Sequence, residues 1–284
     1  MKVISGIKKL NASMAGLKGI KKRIGFVPTM GALHAGHLSL ISAARKENDI
    51  VVVSIFVNPV QFGRGEDFGK YPRVFEKDAR ACRKLGVDFI FAPKAKDIYP
   101  QGYSTFVNVD GLSDVLCGLS RPGHFRGVAT IVAKLLNIVQ PDALYLGQKD
   151  IQQAIILKRM VEDLNFPVKV RVMPTVRQED GLALSSRNAY LNRKEIAGAT
   201  VLFKALKLAE FLVKNGQRNP ARIISRMKQL IRRDKSAKID YIAIVDRQYL
   251  KEVQRVQPGC LVALAVRFGK ARLIDNLILG SGAR

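Results

Sequence analysis

Hydrophobic positions recur in two rhythms along the first 175 residues, and the rhythms take turns. The runs Arg23-Ile24-Gly25-Phe26-Val27, Ile50–Val57, Val87–Phe91, Ala143–Leu146 and Val168–Val172 are short and largely apolar on both faces, as strands of a covered parallel sheet are. Between them, His37–Lys46, Val74–Leu85, Val128–Val139 and Ile151–Leu164 carry apolar residues three and four apart. This alternation predicts an α/β domain built on a doubly wound parallel sheet. Residues 1–22 read as a short helix or arm, with Ile4, Ile7 and Leu10 on one face, and Pro28 reads as the stop of the first strand. Residues 93–126 are irregular, apart from a strand expected at Thr105–Val109. After Val176 the rhythm changes: helical stretches at about Arg193–Lys214 and Pro220–Lys235 precede strands at Ile239–Val245, Leu261–Val266 and Ala271–Ile278. Helices followed by strands predict a smaller, separate α+β C-terminal domain, which divides the chain into residues 1–175 and 176–284.

Ligands of open α/β sheets bind beyond the carboxyl ends of the strands. The turn after the first strand reads Pro28-Thr29-Met30-Gly31-Ala32-Leu33-His34-Ala35-Gly36-His37. It places two imidazoles, His34 and His37, on one face at a helix N-terminus, where unsatisfied backbone N–H groups attract anions. Neither common glycine-rich phosphate loop, G-x-G-x-x-G or G-x-x-x-x-G-K-[ST], occurs here. A pair of helix histidines taken alone has a plain packing explanation. Zinc is the weaker reading, because the chain has three histidines and no Cys-x-x-Cys. The pattern His-x-Gly-His resembles the ATP signature of class I aminoacyl-tRNA synthetases and related nucleotidylyltransferases.

The later turns add polar clusters. Asn58 and Gln61 follow the second strand, and the glycine-flanked segment Arg64–Tyr71 reads as a mobile loop. Gly147-Gln148-Lys149-Asp150, with Gln153 one turn on, follows the strand at 143–146. The last strand leads to Val176 and then to Leu184-Ser185-Ser186-Arg187. Each cluster alone could be capping or a solvated loop, but together they fall on one edge of one sheet.

Composition narrows the class. The chain has 284 residues, 48% hydrophobic and 25% charged, as ordinary globular proteins do. Three widely spaced cysteines argue against a disulfide framework and for a reducing, cytoplasmic compartment. No apolar run reaches signal-peptide or membrane-span length. The net charge of +25 would suit nucleic acid, an anionic substrate or simply a basic proteome, and the last is favoured because no arginine-rich tract or aromatic-interleaved basic strand occurs.

The turn at 28–37, Asn58-Pro59-Val60-Gln61-Phe62-Gly63, Arg121-Pro122-Gly123-His124-Phe125-Arg126-Gly127-Val128, Gly147–Asp150 and Leu184-Ser185-Ser186-Arg187-Asn188 resemble, in order and spacing, the motif series of the pantoate–β-alanine ligase family. One departure is Leu184, where that family often has Met. The resemblance implies a Rossmann-like N-terminal domain, a C-terminal lid and a homodimer. It implies an AMP-forming ligase that joins (R)-pantoate to β-alanine through pantoyl adenylate, with ATP as substrate and Mg²⁺ on its phosphates. On the same basis Met30–His37, Gly147, Gln148, Lys149, Asp150, Val176, Leu184, Ser185, Ser186 and Arg187 would hold ATP. His34, His37, Lys149, Ser185 and Arg187 would stabilise the leaving pyrophosphate. Gln61 and Gln153 would bind pantoate, the Gln61 amide would also meet β-alanine, and Asn58, Tyr71 and Arg121 would lie around the same pocket. No metal-ligand set can be read. A ligase of the same mechanism acting on another acid remains the alternative.

Overall fold

The structure, a computed structural model, describes residues 1–63 and 65–280. Arg64, the first residue of the expected mobile loop, lies outside the described residues. The chain divides into two compact units: Met1–Asp114, Gly118–Gln148 and Gln152–Pro174 form one, and Val115–Cys117, Lys149–Ile151 and Thr175 onward form the other.

The first unit is a six-stranded parallel sheet. Its strands are β1 (Lys2–Ile4), β2 (Ile24–Thr29), β3 (Ile50–Ile55), β4 (Phe89–Phe91), β5 (Ala143–Gly147) and β6 (Lys169–Met173), in the order β1-β4-β3-β2-β5-β6. Helices α1 (Ile7–Gly19), α2 (Ala35–Glu47), α3 (Phe75–Lys84), α4 (Ala95–Ile98), α5 (Cys117–Ser120), α6 (His124–Val139) and α7 (Ile151–Asp163) connect them. Helices α2 and α3 cover one face through a core that includes Ile41, Val51, Val53, Cys82, Ile90 and Tyr145. Burying each such side chain contributes about 1.5–3 kcal/mol, so alternate residues on these strands are all apolar. From β2 the chain winds outward through β3 and β4, then crosses back to β5 and β6. The topological switch therefore falls between β2 and β5, where sites of such sheets form.

The second unit packs α9 (Val201–Lys214) and α10 (Pro220–Ile231), preceded by the short α8 (Arg193–Ala199), on an antiparallel sheet. That sheet comprises β7 (Ala237–Val245), β8 (Leu261–Phe268) and β9 (Ala271–Ile278). Leu202, Leu206, Ile223 and Met227 meet Ile244, Val262, Leu264 and Val266 in its core. Among the described residues, no helix is long and apolar enough to cross a membrane.

Several elements differ from expectation. Residues 2–4 are an edge strand, not part of a helix or arm, and pair with Phe89–Phe91. Pro28 does not end β2: at that position the strand pairs with Ser54 of β3, whereas its pairing to β5 stops at Phe26, so the missing N–H costs little. Thr105–Val109 joins no sheet; the Val107 N–H donates instead to Thr130 Oγ1 at 2.9 Å. The long helix expected at 193–214 is two helices, divided at Thr200. Residues 67–70 of the expected loop form a 3₁₀ turn.

Candidate active site

The turn beyond β2 is held by buried polar groups. The Thr29 hydroxyl donates to Ser54 O at 2.7 Å and accepts from Gly31 N at 3.1 Å. Gly31 and Ala32 then adopt positive φ, +83° and +51°. At Gly31 a side chain would also press Asp78 and Ile55, each 3.0 Å from its Cβ position, so only glycine fits without strain. The Asp78 carboxylate, 1% exposed on α3, accepts both Ala32 N and Leu33 N at 2.8 Å. This pair of charge-assisted bonds clamps the left-handed turn against α3 and aims the chain into α2. The sequence reading missed Asp78. Its signal was a carboxylate on the apolar face of α3, with Phe75 and Cys82 one turn away on either side. Burial and the Asp78 charge push the Cys82 thiol up to about 11, so it stays protonated and unreactive.

Helix α2 begins with both histidines. His34 Nδ1 accepts from Gly36 N at 3.2 Å, and His37 Nδ1 accepts from His34 N at 3.4 Å. The rings lie 4.1 Å apart, tilted by 42°. A ring nitrogen that accepts a backbone N–H carries no proton, so each neutral imidazole holds its proton on Nε2. Two ring donors and a helix N-terminus are thereby gathered on one turn. Gly36 permits this, because a Cβ there would lie 2.9 Å from His34 Cε1.

Beside this turn lies an amide network. Asn58 is 1% exposed. Its Oδ1 accepts from Tyr99 OH at 2.8 Å and from Val60 N at 3.4 Å. Its Nδ2 donates to Gln61 Oε1 at 3.0 Å and to Gly127 O at 3.1 Å. Gln61 Nε2 reaches Met30 Sδ at 3.2 Å. Gly127 lets α6 approach: a Cβ there would sit 2.6 Å from Val60 O and 2.7 Å from Gln61 N. His124, at the start of α6, meets Gln61 O through Nδ1 at 2.7 Å and Arg121 Nη1 through Nε2 at 2.9 Å. A guanidinium can only donate, so Nε2 accepts and Nδ1–H donates to the Gln61 carbonyl. Arg121 also grips Glu66 bidentately, Nε to Oε1 at 2.7 Å and Nη2 to Oε2 at 2.6 Å. Burial pushes the Glu66 carboxyl up, but Arg121 more than reverses this and leaves it below the ordinary carboxylate value. A cavity of about 260 Å³ opens next to Met30 and Gly31, between Ile55–Val57, Pro72–Phe75 and Pro93.

The remaining candidates are dispersed. The buried Tyr71 ring meets Phe62 edge-on, with centroids 6.2 Å apart. Gln153 lies half-buried in the first turn of α7. Gly147 ends β5, and Gln148 follows it.

Lys149, Asp150 and the loop after β6 belong to the second unit. Lys149 Nζ pairs with Asp150 at 3.2 Å, and its carbonyl accepts from Asn276 Nδ2 at 3.0 Å. Val176 O accepts from Leu184 N at 3.1 Å, which folds 176–184 into a hairpin-like loop. At its tip Gly181 has φ +90° and lies against Phe203, leaving no room for a side chain. Ser185 caps the 3₁₀ turn Ser186–Tyr190, accepting from Arg187 N at 3.2 Å.

The comparisons with known proteins agree with one another. The family profile described as pantoate-beta-alanine ligase matches residues 2–278. A protein named pantothenate synthetase from Acetivibrio thermocellus is 51% identical over 98% of this chain and 99% of its own. A crystal structure of pantothenate synthetase from Thermus thermophilus superposes with a TM-score of 0.93 at 44% identity, covering 98% of this chain and 99% of that one. The pantoate-beta-alanine ligase from Francisella tularensis, solved with a β,γ-ATP compound and β-alanine, gives a TM-score of 0.82 at 39% identity, with 99% of each chain covered. With the family profile spanning residues 2–278 and relatives about half identical over nearly the whole chain, this chain belongs to the pantoate–β-alanine ligase family.

Proposed function

We propose that this chain carries out its family's reaction, the ATP-dependent condensation of (R)-pantoate with β-alanine, through the residues described above. The observation that carries the reading is the meeting of Gln61 with Met30, which joins an amide suited to a small hydroxy acid to the turn suited to a triphosphate. In the first step a pantoate carboxylate oxygen attacks the α-phosphorus and pyrophosphate leaves, giving pantoyl adenylate. The carboxylate is already ionised at neutral pH, so the step needs alignment and charge cancellation more than a general base. Met30, Gly31, Ala32, Leu33, Ala35 and Gly36 shape the cradle for ATP. His34 and His37 donate from Nε2 to its phosphates, with the N-terminal amides of α2 behind them.

Lys149 acts as a point charge on phosphate, and Ser185, Ser186 and Arg187 meet the leaving pyrophosphate. Gly147, Gln148, Val176 and Leu184 complete the nucleotide site. The Val176 carbonyl is already used by Leu184, so its share in holding adenine falls to other backbone atoms. Gln61 and Gln153 hold pantoate, and Tyr71 borders that pocket. Arg121 fastens the 65–70 segment through Glu66. In the second step the β-alanine nitrogen attacks the acyl carbon, AMP leaves and the nitrogen loses a proton.

Mg²⁺ enters on the ATP phosphates as part of the substrate. Asp150, half-exposed beside Lys149, is the outer-sphere partner. The reading also includes a homodimer and a reducing, cytoplasmic setting, the latter supported by three buried cysteines that form no disulfide. The test is isotope exchange between pyrophosphate and ATP. It should require pantoate and Mg²⁺ but not β-alanine; exchange that needs β-alanine instead would overturn the order of steps.

A further inference from the structure

We propose that Tyr99 is a positioning residue which, through Asn58, fixes Gln61 so that its amide N–H₂ and not its carbonyl faces the substrate. The proposal rests on the reading of Gln61 as a pantoate ligand. The two ends of a glutamine amide have almost the same shape, so what the side chain offers a ligand depends on what holds its other end. Here Gln61 Oε1 is taken by Asn58 Nδ2 at 3.0 Å. Asn58 in turn has no freedom to reverse. Both its amide hydrogens are used, on Gln61 and on Gly127 O at 3.1 Å, and its Oδ1 takes the Tyr99 hydroxyl at 2.8 Å and Val60 N at 3.4 Å.

Every hydrogen-bonding position of Asn58 is therefore filled inside the protein, at 1% exposure. It acts through Gln61, not on the substrate. Tyr99 supplies the shortest of the four bonds. Burial holds its phenol well above the ordinary tyrosine range, so it stays a donor. The ring is fixed by Tyr103, edge-on at 5.1 Å, with the Lys134 ammonium 4.3 Å from the Tyr103 centroid.

The consequence is a rule of recognition. With Oε1 turned to Asn58 and one N–H on Met30 Sδ at 3.2 Å, Gln61 presents its remaining N–H to the substrate, so the group it selects is an acceptor oxygen, a carboxylate or hydroxyl lone pair, and not an ammonium.

The test is a double-mutant cycle on Tyr99→Phe and Gln61→Ala, read as KM for pantoate and for ATP in pantoate-dependent pyrophosphate exchange. Tyr99→Phe keeps the ring and removes one hydrogen bond. It should raise the pantoate KM by roughly 3–10-fold with little change for ATP. In the Gln61→Ala background the same substitution should have no further effect on pantoate, because nothing remains to orient. An undiminished effect in that background, or equal changes for ATP and pantoate, would show a general packing role and overturn the proposal. So would an unchanged pantoate KM in Tyr99→Phe. If Gln61→Ala itself leaves pantoate binding intact, the reading of Gln61 fails and the relay fails with it; a loss in Gln61→Ala but none in Tyr99→Phe overturns the relay alone.

Discussion

Arg177 and Asp275 form a bidentate ion pair, Nη1 to Oδ2 at 2.6 Å and Nη2 to Oδ1 at 2.9 Å, with the Asp275 side chain 2% exposed and that of Arg177 17%. The guanidinium also lies 4.2 Å from the Phe203 ring centroid, the ring that leaves no space at Gly181. This pair ties the base of the loop carrying Ser185–Arg187 to β9. Asp275→Ala strands a buried cation and should cost about 3–5 kcal/mol, seen as a lower denaturation midpoint. Replacing both partners by apolar residues should cost less than the single change. A loss under about 1 kcal/mol in Asp275→Ala would mean that water compensates the arginine.

The His37 ring donates from a fixed tautomer, so its contribution should grow as charge develops on the leaving pyrophosphate. His37→Ala should slow adenylate formation by roughly 10²–10³-fold, with a smaller loss of ATP affinity. His37→Gln should recover part of the rate. Single-turnover rates normalised by active-site titration decide the matter: near-wild-type adenylation in folded His37→Ala would leave the ring a packing role only.

Asp78→Asn is nearly isosteric yet leaves one of two buried N–H groups facing an amide N–H₂. It should cost about 1–3 kcal/mol of stability and slow adenylation, because the turn at Ala32–Leu33 loses its anchor. Calorimetry and the exchange assay on the same preparation test both effects. Unchanged values in both would remove Asp78 from the description of the turn.

Gly127→Ala drives a methyl group into the Val60–Gln61 backbone, which has no free rotamer to yield. A cost of about 1–3 kcal/mol is expected, with weakened pantoate binding and a smaller change for ATP. Isothermal titration with each substrate separates the two losses.

The Glu66–Arg121 pair gives a pH dependence of definite sign. The Glu66 carboxyl is depressed in the folded state, so it contributes stability above its unfolded value, and that contribution is lost as pH falls through the folded value. The Glu66 contribution to the tie should thus persist at neutral pH and fade only in acid, below the unfolded carboxyl range of roughly 4.3. Hydrogen exchange of the 66–70 amides, corrected for intrinsic rates, measures this. Glu66→Gln should show the loosened behaviour at neutral pH.

The elements that sequence periodicity captured are those whose burial is local to the chain. Strand β3 is apolar on both faces because helices cover it, and the histidine turn is visible because its polar residues interrupt that pattern. Strand β1 was hidden: it is three residues long, Lys2 and Val3 are exposed, and its partner lies at Phe89–Phe91. Tyr99 and Asp78 were hidden for a related reason. Their partners, Asn58 and Ala32–Leu33, are 41 to 46 positions away, and no spacing rule connects them. Arg121 was legible as a charged residue in a motif, but its pairing with Glu66 was not.

The order of strands also governs how the protein is made. Strand β2 finds β3 soon after synthesis, but its other edge waits for Ala143–Leu144, 118 residues past Gly25. At ribosomal speeds of about 5–20 residues per second, that edge stays open for roughly 6–24 s. The nascent chain therefore carries β2, the buried strand that leads into the histidine turn, with an unpaired side through much of translation. An open apolar edge is a template for pairing with another chain. Yield of active protein should accordingly depend on elongation rate and on holding chaperones far more than the stability of the finished molecule would suggest.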